Sequence, residues 1–144
     1  MINFFKDRDK VKNENSNEES FMKIASLLIH AAKIDENYTE VEKEIIEKTM
    51  IKLGANTSNI DKIMSDATII EKNSNQILNF TKEIKTMPEV DKIKIIESLW
   101  KIIYSNNNAD IYETNLMRRL AGLLYVDSNT IGNLKEKIKK ELIK

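Results

Sequence analysis

Apolar residues recur along most of this chain at three- and four-residue spacing, and almost nowhere alternate in the period of a strand. Phe21, Ile24, Ala25, Leu28 and Ala32 form one such stripe, widened by Leu27 and Ile29. Ser16-Asn17-Glu18-Glu19 precedes it as an S-x-x-E capping box, and the polar turn Asp35-Glu36-Asn37 ends it. Thr39-Glu40-Val41-Glu42 is a second capping box, so a helix is expected from Glu40. Its apolar face is Val41, Ile45, Ile46, Thr49 and Leu53, with Gly54 at the C-terminal cap. Ser58 is expected to cap a short helix through Ile60, Ile63 and Met64, fraying over 68–75. A fourth helix carries Ile77, Leu78, Phe80, Thr81 and Ile84, with Ser74 before it.

Pro88 suits the first turn of a fifth helix, through Val90, Ile93, Ile96, Leu99, Trp100 and Ile103. Asp110-Ile111-Tyr112-Glu113 opens a sixth, with Leu116, Met117, Leu120, Leu123 and Leu124 on its apolar side. Asp127 or Ser128 starts the last, with Ile131, Leu134, Ile138 and Leu142. The pattern predicts an all-α single domain of about seven helices over residues 19–144. Residues 1–18 read as a flexible, polar lead-in apart from Phe4-Phe5.

Displacing the sequence by 71 residues superimposes two of these units. Leu28 falls on Leu99, Asp35 on Asn106, Thr39 on Asp110, Glu42 on Glu113, Ile45 on Leu116, Leu53 on Leu124 and Ile60 on Ile131. Helical apolar positions coincide easily by chance. The joint coincidence of loop, cap and glutamate over roughly 27–63 and 98–134 argues instead for two copies of one helical hairpin.

Composition narrows the chemistry. Three glycines and one proline in 144 residues favour long helices joined by Asn, Ser and Asp turns. With no cysteine there is neither a disulfide framework nor a thiolate zinc site. The single histidine, His30, has no triad or zinc partners at a recognisable spacing and is expected to be partly buried. Net charge is zero. Residues 1–72 hold 11 Lys/Arg against 14 Asp/Glu and residues 73–144 hold 12 against 9, too even a balance to suggest nucleic-acid binding. No apolar run approaches the roughly 20 residues of a membrane span, and the first residues do not read as a signal peptide. The expected location is therefore the cytoplasm.

At its loops and caps the chain resembles the TerB-like family. The first copy of the family signature is Ala32-Lys33-Ile34-Asp35-Glu36-Asn37-Tyr38 with Glu42 and Ile45. The second runs Trp100, Tyr104, Asn106, Asn107, Tyr112-Glu113 and Leu116-Met117-Arg118-Arg119-Leu120-Ala121. The resemblance spans about residues 20–143 and departs from the signature where Glu36 and Asn107 replace glycines and Asn106 replaces an aspartate. It implies an all-helical bacterial cytoplasmic protein linked to tellurite and stress resistance. It also implies a divalent metal ion bound through acidic interhelical loops, with partners at the membrane. The positions that would carry the metal are Asp35, Glu42, Asn106 and Glu113.

The residues themselves leave those roles open. Glu42 and Glu113 each sit three places after a cap residue, where a carboxylate serves the cap N–H and the helix dipole without any metal. Asp35, Glu36, Asn37 and Glu40 make an oxygen-rich loop that could hold a hard cation, but it lacks EF-hand spacing and reads more readily as a solvated turn. The basic last helix, Lys135-Glu136-Lys137-Ile138-Lys139-Lys140, is either a solvated face or a surface for an acidic partner or anionic membrane. Two readings follow. One is a non-catalytic stress-resistance domain that holds a divalent cation. The other is a protein-interaction or membrane-surface scaffold without metal. An enzyme is disfavoured, because no nucleophile, paired-acid or phosphate-loop arrangement is present.

Overall fold

The computed structural model describes residues 18–33, 38–73, 78–105 and 111–143. Among them are seven α-helices and no strand. Helix α1 spans 18–32. It is followed by α2 (Glu40–Lys52), a 3-10 turn (Thr57–Asn59), α3 (Ile60–Asn73), α4 (Leu78–Lys85), α5 (Glu89–Ser105), α6 (Ile111–Leu123) and α7 (Ser128–Ile143). The Ser16 and Asp110 caps, the Ser74 cap, Asp35 and Asn106 lie outside the described residues, as does the polar lead-in.

Helix α5 is the centre of the molecule. Its buried residues, Lys92, Ile95, Ile96, Ser98, Leu99, Trp100, Ile102 and Ile103, go most of the way round the helix. Such a helix must be packed on several sides, and α5 lies against both α2 and α7. Two of the polar groups it carries inward are satisfied by neighbouring helices. The Ser98 and Thr49 hydroxyls share a buried hydrogen bond of 2.7 Å between α5 and α2. The Trp100 indole N–H donates to the Ile131 carbonyl at 3.1 Å, joining α5 to α7. Tyr104 stacks on Trp100 at 6.0 Å. Helix α1 supplies the other large share of the core, with Ile24, Ala25, Leu27, Leu28 and Ile29 essentially sealed from solvent.

Three local expectations need correcting. Val41 and Val90 are exposed, at 58% and 65%. The buried residues of α2 are Glu42, Ile46, Thr49 and Met50, a stripe displaced by one residue from the purely apolar one. Val90 stands in the first turn of α5, ahead of the packed part. Helix α3 does not fray at 68 but continues to Asn73, and it is introduced by Asn56, whose side chain accepts from the Ser58 N–H. Its last turn is held from outside the helix. Glu71, near its end, accepts from the Lys33 ammonium at 2.9 Å and meets His30 Nδ1 at 3.3 Å. Tertiary ion pairing thus overrides the weak local signal.

The duplication extends to the backbone. Helices α2 and α6 share both end points at the 71-residue offset, and the Thr57 turn falls on Ser128, the start of α7. The C-terminal turns match bond for bond. Leu53 N–H donates to Thr49, Gly54 N–H to Ile51 and Ala55 N–H to Met50, while Leu124, Tyr125 and Val126 donate to Leu120, Gly122 and Ala121. Each turn needs one residue with positive φ, and these are Gly54 (φ 112°) and its equivalent Tyr125 (φ 56°). Glycine occupies that region freely, whereas a side chain pays roughly 1–2 kcal/mol. Ala55 and Val126, the next residues, are both buried and anchor the turns.

This asymmetry generates a reciprocal prediction. A Cβ at Gly54 would meet only Phe21 Cζ, at 3.9 Å, so Gly54→Ala carries a conformational cost and no clash. It should lower stability by about 1 kcal/mol, and Tyr125→Gly should raise it by about the same amount, in urea denaturation curves.

Candidate functional site

The best-described candidate is the N-terminal end of α2. Thr39, with extended backbone, is the N-cap, and Glu42 is the third helical residue. Both halves of the capping box form. Glu42 N–H donates to the Thr39 hydroxyl at 3.3 Å, and Glu42 Oε1 accepts from Thr39 N–H and from its hydroxyl, both at 3.0 Å. Glu42 is wholly buried. A buried carboxylate is tolerated when the hydrogen bonds and helix-terminal N–H groups that surround it compensate for lost hydration.

Tyr38 borders this cap and packs against the core. Its hydroxyl is buried with no hydrogen-bond partner among the described residues. Burial pushes the phenol up to about 12, and the charges of Glu47, Glu42 and Glu40 add to the effect. Three carboxylates therefore act on one buried hydroxyl at the end of α2 that adjoins the 34–37 loop. Sequence reasoning noticed Tyr38 only as a signature position and missed this environment.

Of the residues proposed from sequence, Glu42 is seen as a capping-box acid. Asp35 and Asn106 are outside the described residues. Glu113 is the third residue of α6, as Glu42 is of α2, but its side chain is outside the described set. Among the described residues no group of three or more His, Cys, Asp or Glu side chains is placed to hold a metal ion. His30 is part-exposed, as expected, and engaged with Glu71. The Glu71 cluster was not foreseen, although His30 and Lys33, three apart, lie on one face of α1. At the other end of α1, Lys23 and Ser20 both donate to Glu83 of α4, and the Lys23 ammonium holds the Glu83 carboxyl below its ordinary range.

Arg118 and Arg119 both reach solvent. No helix among the described residues is long and apolar enough to cross a membrane.

The duplicated hairpins, the Thr39–Glu42 capping box and the central α5 define an all-helical domain of the kind the loop signature suggested. A family model described as tellurite resistance protein TerB matches residues 21–136, most of the chain, and the protein belongs to that family. No curated protein and no solved structure matches.

The cap geometry predicts a graded response at Glu42. Glu42→Gln keeps an acceptor for Thr39 and should cost about 1 kcal/mol. Glu42→Ala loses the cap, leaves Thr39 N–H unsatisfied and opens a void, and should cost about 2–4 kcal/mol. Thermal and urea melts of the two variants measure the difference.

Tyr38 predicts a pH dependence. Its phenol titrates near 10 when unfolded and about 12 when folded. The folded state thus favours the protonated form, and this stabilisation is intact below pH 10 and lost as pH rises from about 10 to 12. Tyr38→Phe should be neutral or slightly stabilising at pH 7, because a buried unpartnered hydroxyl is removed. It should also melt less steeply downward between about pH 10 and 12 than the parent does.

Proposed function

We propose that this TerB-family domain acts without catalysis in tellurite and stress resistance, and that the α1–α2 end holds a divalent cation. The supporting observation is the concentration of buried oxygen chemistry at the start of α2: the fully buried Glu42 carboxylate and the Tyr38 hydroxyl, which has no hydrogen-bond partner among the described residues. Hard cations such as Ca²⁺ and Mg²⁺ take oxygen ligands and suit an environment already biased by carboxylates. In this reading Asp35 supplies the direct charged ligand, and Glu42 contributes buried negative charge while keeping its cap. Asn106 and Glu113 form the weaker second copy, because an amide replaces one carboxylate.

A second reading is favoured by α7, where Lys137, Lys139 and Lys140 are all exposed. There the domain serves as a scaffold in the cytoplasm, docking an acidic protein or lying against the inner face of the membrane, with no metal required.

Titration with Mg²⁺, Ca²⁺ or Zn²⁺, followed by backbone NMR, separates the two. Saturable shifts over 34–43, stronger than those over 105–114 and lost in Asp35→Asn, are expected from the cation reading. No shift in either segment, together with a melting temperature indifferent to divalent ions, leaves the scaffold.

A further inference from the structure

Tyr125 holds a φ of 56° at the position where the first hairpin has Gly54. Internal packing does not require the side chain there, because Tyr125 is 72% exposed. Strain kept at an exposed aromatic points to a use for the ring. That ring borders an open depression of about 220 Å³ between α4 and the last turn of α6. Thr81, Lys82, Lys85, Gly122 and Leu123 line the rest of it, and a Cβ at Gly122 would meet nothing within 4 Å.

The rim of this depression is cationic. Lys85 Nζ stands 5.9 Å from the centre of the Tyr125 ring. Exposed Arg119 precedes Gly122 and Leu123 by one turn on the same side of α6. Lys82, Lys85 and Arg119 form no ion pair with any described residue. Two acids close by in sequence are engaged elsewhere. Glu83 accepts from Lys23 and Ser20, and Asp127 accepts from the Asn129 N–H.

A face of matching character lies on α2. Glu40, Glu44, Glu47 and Ile51 follow one another at i, i+4, i+7 and i+11, which aligns them in one stripe away from the buried Ile46 and Thr49. Glu40 and Glu44 are exposed, Glu47 is half-buried, and Ile51 is 42% exposed. None of the three acids is ion-paired to a described residue, and Lys43 and Lys48 stand on the two flanks of the stripe. The 71-residue offset places Ile51 on Gly122. The first hairpin thus projects an apolar side chain, with acids beside it, where the second leaves a gap with cations beside it.

We infer that copies of this chain associate head to tail, the outer face of α2 in one copy seated on the α4–α6 depression of the next. Ile51 enters beside Gly122 and Leu123 and packs on the Tyr125 ring. Glu44 and Glu47 meet Lys82, Lys85 and Arg119. The two surfaces differ, so the contact is heterologous and builds short chains or a closed ring. A net charge of zero removes the repulsion that would keep copies apart. One helix face on a shallow depression falls short of the roughly 1,200–2,000 Å² of stable complexes, so the association is weak, with a Kd of about 0.1 mM.

Sedimentation velocity of the full chain tests this, with EDTA present so that the result does not depend on a bound cation. In about 20 mM salt the sedimentation coefficient should rise with protein concentration, and about 0.3 M salt should weaken association at least about tenfold. Glu44→Lys with Glu47→Lys, and separately Lys82→Glu with Lys85→Glu, should each give a monomer. An equimolar mixture of the two should associate again, because each reversed face then meets its opposite on the other variant. If either double variant fails to fold by circular dichroism, Glu44→Lys and Lys85→Glu alone replace them. Tyr125→Gly should melt higher than the parent yet associate at least about tenfold more weakly. The inference is overturned by a parent that stays monomeric in low salt, or by association indifferent to salt. Folded reversal variants that fail to associate when mixed, or a Tyr125→Gly variant that associates as the parent does, overturn it equally.

Discussion

Everything in this fold depends on keeping α5 buried between the two halves of the molecule. A helix enclosed on most of its circumference cannot carry polar groups inward unless each finds a partner. For Ser98 and Trp100 two short contacts meet that demand, to Thr49 on α2 and to the Ile131 carbonyl on α7. Each contact crosses from α5 to a different helix, so together they fix its rotation as well as its position. The contact with α2 also crosses from the second repeat to the first. The hairpins are thus interlocked, and neither half buries its apolar face without the other.

The glutamate at the third position of α2 illustrates how one residue can satisfy local and tertiary requirements together. Its carboxylate closes the cap of its own helix, and its complete burial makes it part of the internal packing. The cost of burying the charge is offset by the Thr39 donors and the favourable end of the helix dipole. The same charge acts on Tyr38, so the end of α2 combines structural stability with an electrostatic bias toward cations. A candidate site of this kind need not be separate from the scaffold.

Helical content, the Thr39 cap, the start of α2 and the cap at Gly54 were legible in the sequence because each is set by residues within one turn. The duplication was legible because loop, cap and acid recur in register. What sequence did not disclose depends on distant partners. Helix α3 persists to Asn73 because Lys33 and His30 reach its Glu71, which no window around residue 70 contains. Val41 and Val90 were misassigned because periodicity identifies apolar residues but not whether a neighbouring helix covers them. The buried environment of the Tyr38 hydroxyl follows from three-dimensional packing. Asp35 and Asn106 remain sequence-based candidates.

The strained Tyr125 turn and Ala121, the smaller counterpart of buried Met50, lie in the same hairpin. The first hairpin has glycine at the equivalent turn and methionine at the equivalent position. The first half thus makes its turn without side-chain strain and the second makes it with strain. Native-state hydrogen exchange should follow that gradient: amides of α6 and the start of α7 open first, through sub-global fluctuations that leave α1 and α2 protected. The two halves share an architecture, and the expected difference in local stability concentrates conformational freedom in the half that diverged.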